Sequence, residues 1–192
     1  MVRCMRKTHV INCCLVLLCL LWPLSLGAAA EGAWQTVETQ HALVRYQNPQ
    51  DLERFDKKID YEPGRSGLKW IFGNKQDGNT ADRATRKVDA IYARAQEILE
   101  MHKKSPRKVR INLYADQNQL HAAYQKIYRK KTRLRAWYIF EYNTIYLNVR
   151  DLHEGILAHE LAHSIIDNYL TTRPPHATAE ILARYVDKHL IF

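Results

Sequence analysis

The stretch TIYLNVRDLHEGILAHELAHSIIDNY, residues 144–169, reads as a strand running straight into a helix. Its opening residues are β-branched, aromatic or apolar, as a strand favours, and from residue 152 apolar residues recur at helical spacings of three and four. On that helix His159 and His163 stand four residues apart and point the same way, as two ligands of one metal ion must. Glu160 lies about 100° from His159 and about 60° from His163 around the axis. That position is beside a bound ion, where a carboxylate can hold the metal's water and take its proton. Ile156, Leu157, Leu161, Ala162, Ile165 and Ile166 surround the pair with apolar packing, and a dry shell strengthens an ion's field. An HExxH run also arises by chance on amphipathic helices, and a third ligand distinguishes a metal site from such a coincidence.

A catalytic metal site takes three protein ligands and leaves one position open. TTRPPH, residues 171–176, turns the chain, and a second helix is expected over residues 178–190 with Glu180 in its first turn. A helix-loop-helix hairpin would return Glu180 to His159 and His163. Ala183 shares Glu180's face and lets the two helices approach, while Ile181, Leu182, Tyr185, Val186 and Leu190 are expected to supply burial. His176 and His189 compete for the ligand role, but His176 sits at the Pro-Pro turn and His189 nearly opposite Glu180, so Glu180 is preferred. Asp187, seven residues past Glu180, is a candidate acceptor for the outer nitrogen proton of a ligand histidine, with a solvated helix charge as the alternative.

HELAH followed by AEILARYV resembles the gluzincin metallopeptidases, in which a downstream helix carries a glutamate ligand in a pattern of the form AEGxAxYV. The short chain is most similar to their minimal members, the minigluzincins or peptidase MA-like proteins. The resemblance spans roughly residues 108–190. It implies one zinc ion per chain on His159, His163 and Glu180, Glu160 as general base, and peptide-bond hydrolysis. It further implies that the strand before the active-site helix, Thr144, Ile145, Tyr146, Leu147 and Asn148, is the edge on which an extended peptide lies. The chain departs from the pattern at Ile181, where the family usually has Gly. Only twelve residues follow Glu180, so the downstream Tyr or His that stabilises the oxyanion in many gluzincins has no counterpart. Tyr169, Arg173, His176, Arg184 and Tyr185 are the candidate donors. With no acidic residue recognisable as an amine anchor, an endopeptidase is expected. The competing reading is a zinc-binding envelope protein with little or no turnover.

The remaining chain supplies an α+β frame, a small mixed sheet packed on helices. HALVRY (41–46) is the best early strand, within a partly alternating run over residues 34–47, and KVRINLY (108–114) is a second. Helices are expected over residues 51–59, 81–103 and 116–128, the last capped by Asp116, with a Gly- and Pro-rich loop over residues 61–80. Residues 137–141 and 144–149 form a hairpin. Between helix and hairpin, Arg129, Lys130, Lys131, Arg133 and Arg135 form a cluster that is read first as a solvated connection and second as a contact for an anionic surface such as lipid or wall polymer. No nucleic-acid partner is expected.

The amino-terminal segment carries Arg3, Arg6 and Lys7, then the apolar run from Val10 to Trp22, then Pro23 and small residues up to Ala30. This is the layout of a secretory signal peptide cleaved after Ala30, preferred over a membrane anchor because of Pro23 and the small-residue end. An exported protein, periplasmic or secreted, is expected, with residues 31–192 forming a single monomeric domain. Cys4, Cys13, Cys14 and Cys19 all lie in that segment, so the mature chain would have no disulfide and no thiolate ligand. The full sequence's net charge of +9 would fall to +6 without Arg3, Arg6 and Lys7.

Overall fold

The frame begins where residues 34–47 fold back on themselves. They divide into β1 (Gln35–Glu38) and β2 (Ala42–Tyr46), an antiparallel pair in which Val37 faces Val44. Asp89 holds the turn by accepting from the Thr39 hydroxyl at 2.7 Å and from the His41 amide at 3.1 Å. In this computed structural model the described residues are 32–61, 78–102 and 107–190. The expected signal peptide and most of the loop expected over residues 61–80 lie outside them. Residues from Gly32 onward form one compact unit.

Pro49 starts α1 (Pro49–Lys58) rather than merely ending β2, because its fixed φ suits the first helical position and Asn48 precedes it in extended conformation. Next, α2 (Thr80–Leu99) opens on a capping box between Asn79 and Asp82 and closes at Glu100 in the left-handed region, four residues short of the expected end. The two helices are joined by Asp56, whose buried carboxylate meets Lys87 at 2.8 Å and Arg83 at 2.7 Å. β3 (Val109–Tyr114) leads to α3 (Gln117–Tyr128), and Asp116 caps it as expected by accepting from the amides of Asn118 and Gln119.

β4 (Ala136–Ile139) and β5 (Thr144–Asn148) form the expected hairpin. A short 3-10 turn, Val149–Asp151, connects it to α4 (Glu154–Tyr169), which is followed by α5 (His176–His189). Among the described residues no helix is long and apolar enough to cross a membrane.

The strands form one mixed sheet in the order β1-β2-β3-β5-β4, giving an α+β fold. β3 pairs in parallel with both β2 and β5. The expectation that Thr144, Ile145, Tyr146, Leu147 and Asn148 form an edge is therefore corrected: β5 is interior, all five residues are buried, and the edge beside the helices is β4. The cause is pairing order, since the parallel bond to β3 places the second strand of the hairpin inside and the first outside.

One sheet face carries the main core, where Val44, Ile111, Ile145 and Leu147 meet Phe55, Val88, Ile91, Leu157 and Leu161. Each large side chain buried there contributes about 1.5–3 kcal/mol. The other face holds a smaller cluster, in which Leu120 packs with Trp137, Ile139 and Tyr146. α4 is buried over most of its circumference, including Ala158, Ala162 and Ser164.

One side chain ties these layers together. Asn143 closes the hairpin at φ 44°, and its Oδ1 accepts from the Ser164 hydroxyl at 2.8 Å and from the Tyr138 hydroxyl at 3.1 Å. Its Nδ2 donates to the Lys108 carbonyl at 3.3 Å. Asn143→Ala is expected to lower stability by about 2–3 kcal/mol in urea unfolding of the metal-free protein, because buried donors lose their acceptor and a left-handed position loses a residue that tolerates it.

Candidate metal centre

Four residues of α4 separate His159 from His163, and the helix sets their Nε2 atoms 3.2 Å apart. α5 returns antiparallel enough to bring Glu180 against both: Oε1 lies 3.3 Å from Nε2 of His163 and Oε2 lies 3.6 Å from Nε2 of His159. The approach depends on small residues. Ala183 is fully buried, and a Cβ on Gly155 would fall 1.9 Å from the Asp187 carboxylate. The two nitrogens and the carboxylate lie within 4.8 Å of one another, and this group could hold a metal ion.

Burial lowers the pKa of His159, with Glu180 and Asp187 opposing, and it lowers that of His163 further still, aided by the neighbouring His159. Both rings are thereby kept neutral with a lone pair available, the state a metal ligand needs. Glu160 is buried beside them, and burial, with the nearby Glu180 charge adding to it, pushes its carboxyl up to about 8. No family model, curated protein or solved structure matches this chain.

The three donors and Glu160 open onto a cleft of about 820 Å³. One wall is the start of β4 with the residues before it, Leu134, Ala136, Trp137 and Tyr138; the other is α5, through His176, Glu180, Ile181 and Arg184. At the His163 end Arg173 pairs with Asp167 at 3.4 Å and lies over the Phe140 ring.

Of the five candidate oxyanion donors, Arg173, His176 and Arg184 line this cleft, and His176 reaches to 3.6 Å from Glu180 Oε1. Tyr185 and Tyr169 do not line it. Tyr185 lies about 140° around α5 from Glu180 and stacks on His189, with ring centroids 4.0 Å apart. Tyr169 lies about 120° around α4 from His163. His189 bonds the Tyr185 carbonyl and stays outside the ligand group. Ile181 and Tyr185, expected to be buried, are 68% and 50% exposed, because α5 packs on α4 along one side only. Asp187 stands over Gly155, a turn before His159, and acts on that ring through its charge; no hydrogen bond joins them among the described residues.

The site also contains residues that the motif reading passed over. Tyr138 stacks parallel to His163 at 6.3 Å while its hydroxyl is held by Asn143. Asp167 had a local signal, since it continues the four-residue spacing of His159 and His163. Tyr138 had none, because it comes from a strand whose place in the sheet is set by distant pairing. The Arg129 to Arg135 cluster is exposed except for Thr132, and Arg135 meets Asp151 at 3.5 Å.

Proposed function

We propose that the protein is a zinc-dependent peptidase of gluzincin type, acting outside the cytoplasm on extended peptide or unfolded protein. The observation that carries this reading is the convergence of His159, His163 and Glu180 beside a buried Glu160 at the floor of an open cleft. Tetrahedral zinc with bonds of about 2.0–2.1 Å needs donors roughly 3.3 Å apart. The donor pairs here, at 3.2, 3.3 and 3.6 Å, suit it without a large rearrangement. Calcium or magnesium prefers an all-oxygen set, which this is not.

Zinc held there supplies a Lewis acid and a water whose pKa is lowered to about 7. Glu160 then has the position and basicity to accept the attacking water's proton and to return it to the leaving amine. Arg173 and His176, at the His163 end of the cleft, are placed to donate to negative charge developing on the substrate oxygen.

The peptide itself is assigned to β4 rather than β5. The Asn148 amide donates to the Arg135 carbonyl, so residues 135, 137 and 139 turn their backbone groups towards β5. Ala136 and Tyr138 therefore turn theirs to the free edge, where an extended chain would add as a further strand.

The test is zinc content measured together with cleavage of an unstructured protein by the purified chain. One zinc per chain with chelator-sensitive cleavage supports the reading; one zinc with no cleavage favours a binding protein instead. A zinc site built into the fold also predicts a thermal shift. At a hundredfold excess of free zinc over Kd, the metal is expected to stabilise the protein by about 2.7 kcal/mol, seen as a chelator-reversible rise of several degrees in Tm.

A further inference from the structure

Resting on the peptidase reading, we infer that Arg184 makes the cleft a carboxylate-selecting one, so that its substrates carry an acidic side chain or a free carboxyl terminus beside the scissile bond. The inference comes from how charge is distributed between the two ends of the cleft. Arg173 pairs with Asp167, a turn past His163 on α4, whereas Arg184 lies one turn before Asp187, which packs over Gly155 a turn before His159, so the two guanidiniums stand towards opposite ends.

At the His163 end the cation is already matched, since Arg173 pairs with Asp167 at 3.4 Å. At the His159 end Arg184 lines the cleft, is exposed, and makes no ion pair or hydrogen bond among the described residues. Asp187, three residues on along the same helix, has its carboxylate packed over Gly155 at the start of α4. There it faces the positive end of that helix's dipole. The remaining acids of the cleft are Glu160 and Glu180, which the catalytic reading assigns to proton transfer and metal binding.

Among the described residues that line the cleft, Arg184 is therefore the arginine left without a counterion, on the wall across from the free edge of β4. A guanidinium presents a planar fork of donors that matches a carboxylate bidentately. Arg133, exposed where the chain enters β4, adds attraction of the same sign at longer range.

The experiment uses the zinc-loaded Glu160→Gln protein, which binds without turning over, and fluorescent peptides compared by anisotropy. The peptides differ in Glu against Gln at single positions and in free against amidated carboxyl termini. Tighter binding of the acidic or free-carboxyl member by about tenfold is expected, and which pair shows it identifies the source of the carboxylate. Adding Arg184→Ala should bring that preference to within about twofold of unity, and Arg184→Glu should reverse it towards Lys-containing peptides. Equal binding of both members, or a preference that survives Arg184→Ala, overturns the inference while leaving the peptidase reading intact. Failure to bind any peptide overturns both. If Arg184 served the oxyanion instead, Arg184→Ala in the protein that keeps Glu160 would slow turnover of all peptides alike, and in the Glu160→Gln protein it would leave the binding preference in place, which also counts against the inference.

Discussion

Replacing Glu160 by Gln is expected to leave one metal ion bound and to lower kcat for peptide hydrolysis by about 10³-fold. Gln keeps the volume and can still hold water through its amide oxygen, but it cannot take a proton, and general-base catalysis contributes roughly 10²–10⁴-fold. Because Glu160 lies outside the three-donor group, metal content measured by elemental analysis should not change. Retained turnover would remove Glu160 from the mechanism.

The same variant should reveal the strain of holding this carboxyl in the fold. Without metal its folded pKa stands at about 8 against an ordinary 4.5. Between those values the folded state binds more protons than the unfolded state, so the group's unfavourable contribution grows as pH rises and is complete above pH 8. Gln does not ionise and so has no such pH-dependent cost. Metal-free Glu160→Gln is thus expected to be more stable than the metal-free parent by about 2 kcal/mol or more at pH 8, with the gap closing towards pH 4.5 in denaturant titrations. A gap independent of pH would mean that the buried carboxyl is not the cause.

Glu180→Ala is expected to weaken metal binding by more than about 100-fold and to abolish hydrolysis with it. Loss of an outer partner to a ligand alone typically weakens binding by about 10–100-fold, and removal of a direct ligand should exceed that. His176→Ala makes the informative comparison, since His176 touches the Glu180 carboxylate at 3.6 Å yet stands outside the three-donor group. It should keep the metal and, as a candidate oxyanion donor, lose turnover. Competition against a chromogenic chelator measures both affinities. Equal metal retention by Glu180→Ala and the parent protein would reduce the site to two histidines and remove the gluzincin reading.

Those predictions rest on features that differ in how far the sequence reveals them. The pairing of His159 with His163, and the placing of Glu160 beside them, follow from the helix repeat. So does the helix carrying Glu180, announced by TTRPPH and the apolar spacing after it, although it begins at His176, two residues earlier than expected. The Asp116 cap was equally local and lies where expected. Other readings failed where a residue's setting depends on distant partners. Ile181 and Tyr185 fit a helical apolar pattern, yet α5 has a neighbour on one side only and leaves them exposed. Tyr185 and Tyr169 were reasonable donors by proximity in sequence, but rotation about their helices carries them out of the cleft.

The edge strand is the clearest case. The run Thr144 to Asn148 has only Ile145 and Leu147 as aliphatic residues, both on one face, yet it is buried on both faces, and nothing in its residues states which strands flank it. By itself, then, the sequence determined the local chemistry: two imidazoles on one helical face, a carboxylate between them, and a following helix with a glutamate near its start, two residues further in than expected because the helix begins at His176. Backbone geometry over three to seven residues is enough for that. The tertiary structure decided that Glu180 reaches the histidines, that β4 rather than β5 borders the cleft, and that Arg184 stands there without a counterion among the described residues. Each of these depends on packing between elements far apart in the chain, at contacts where Gly155, Ala183 and the parallel pairing of β3 with β5 set the distances.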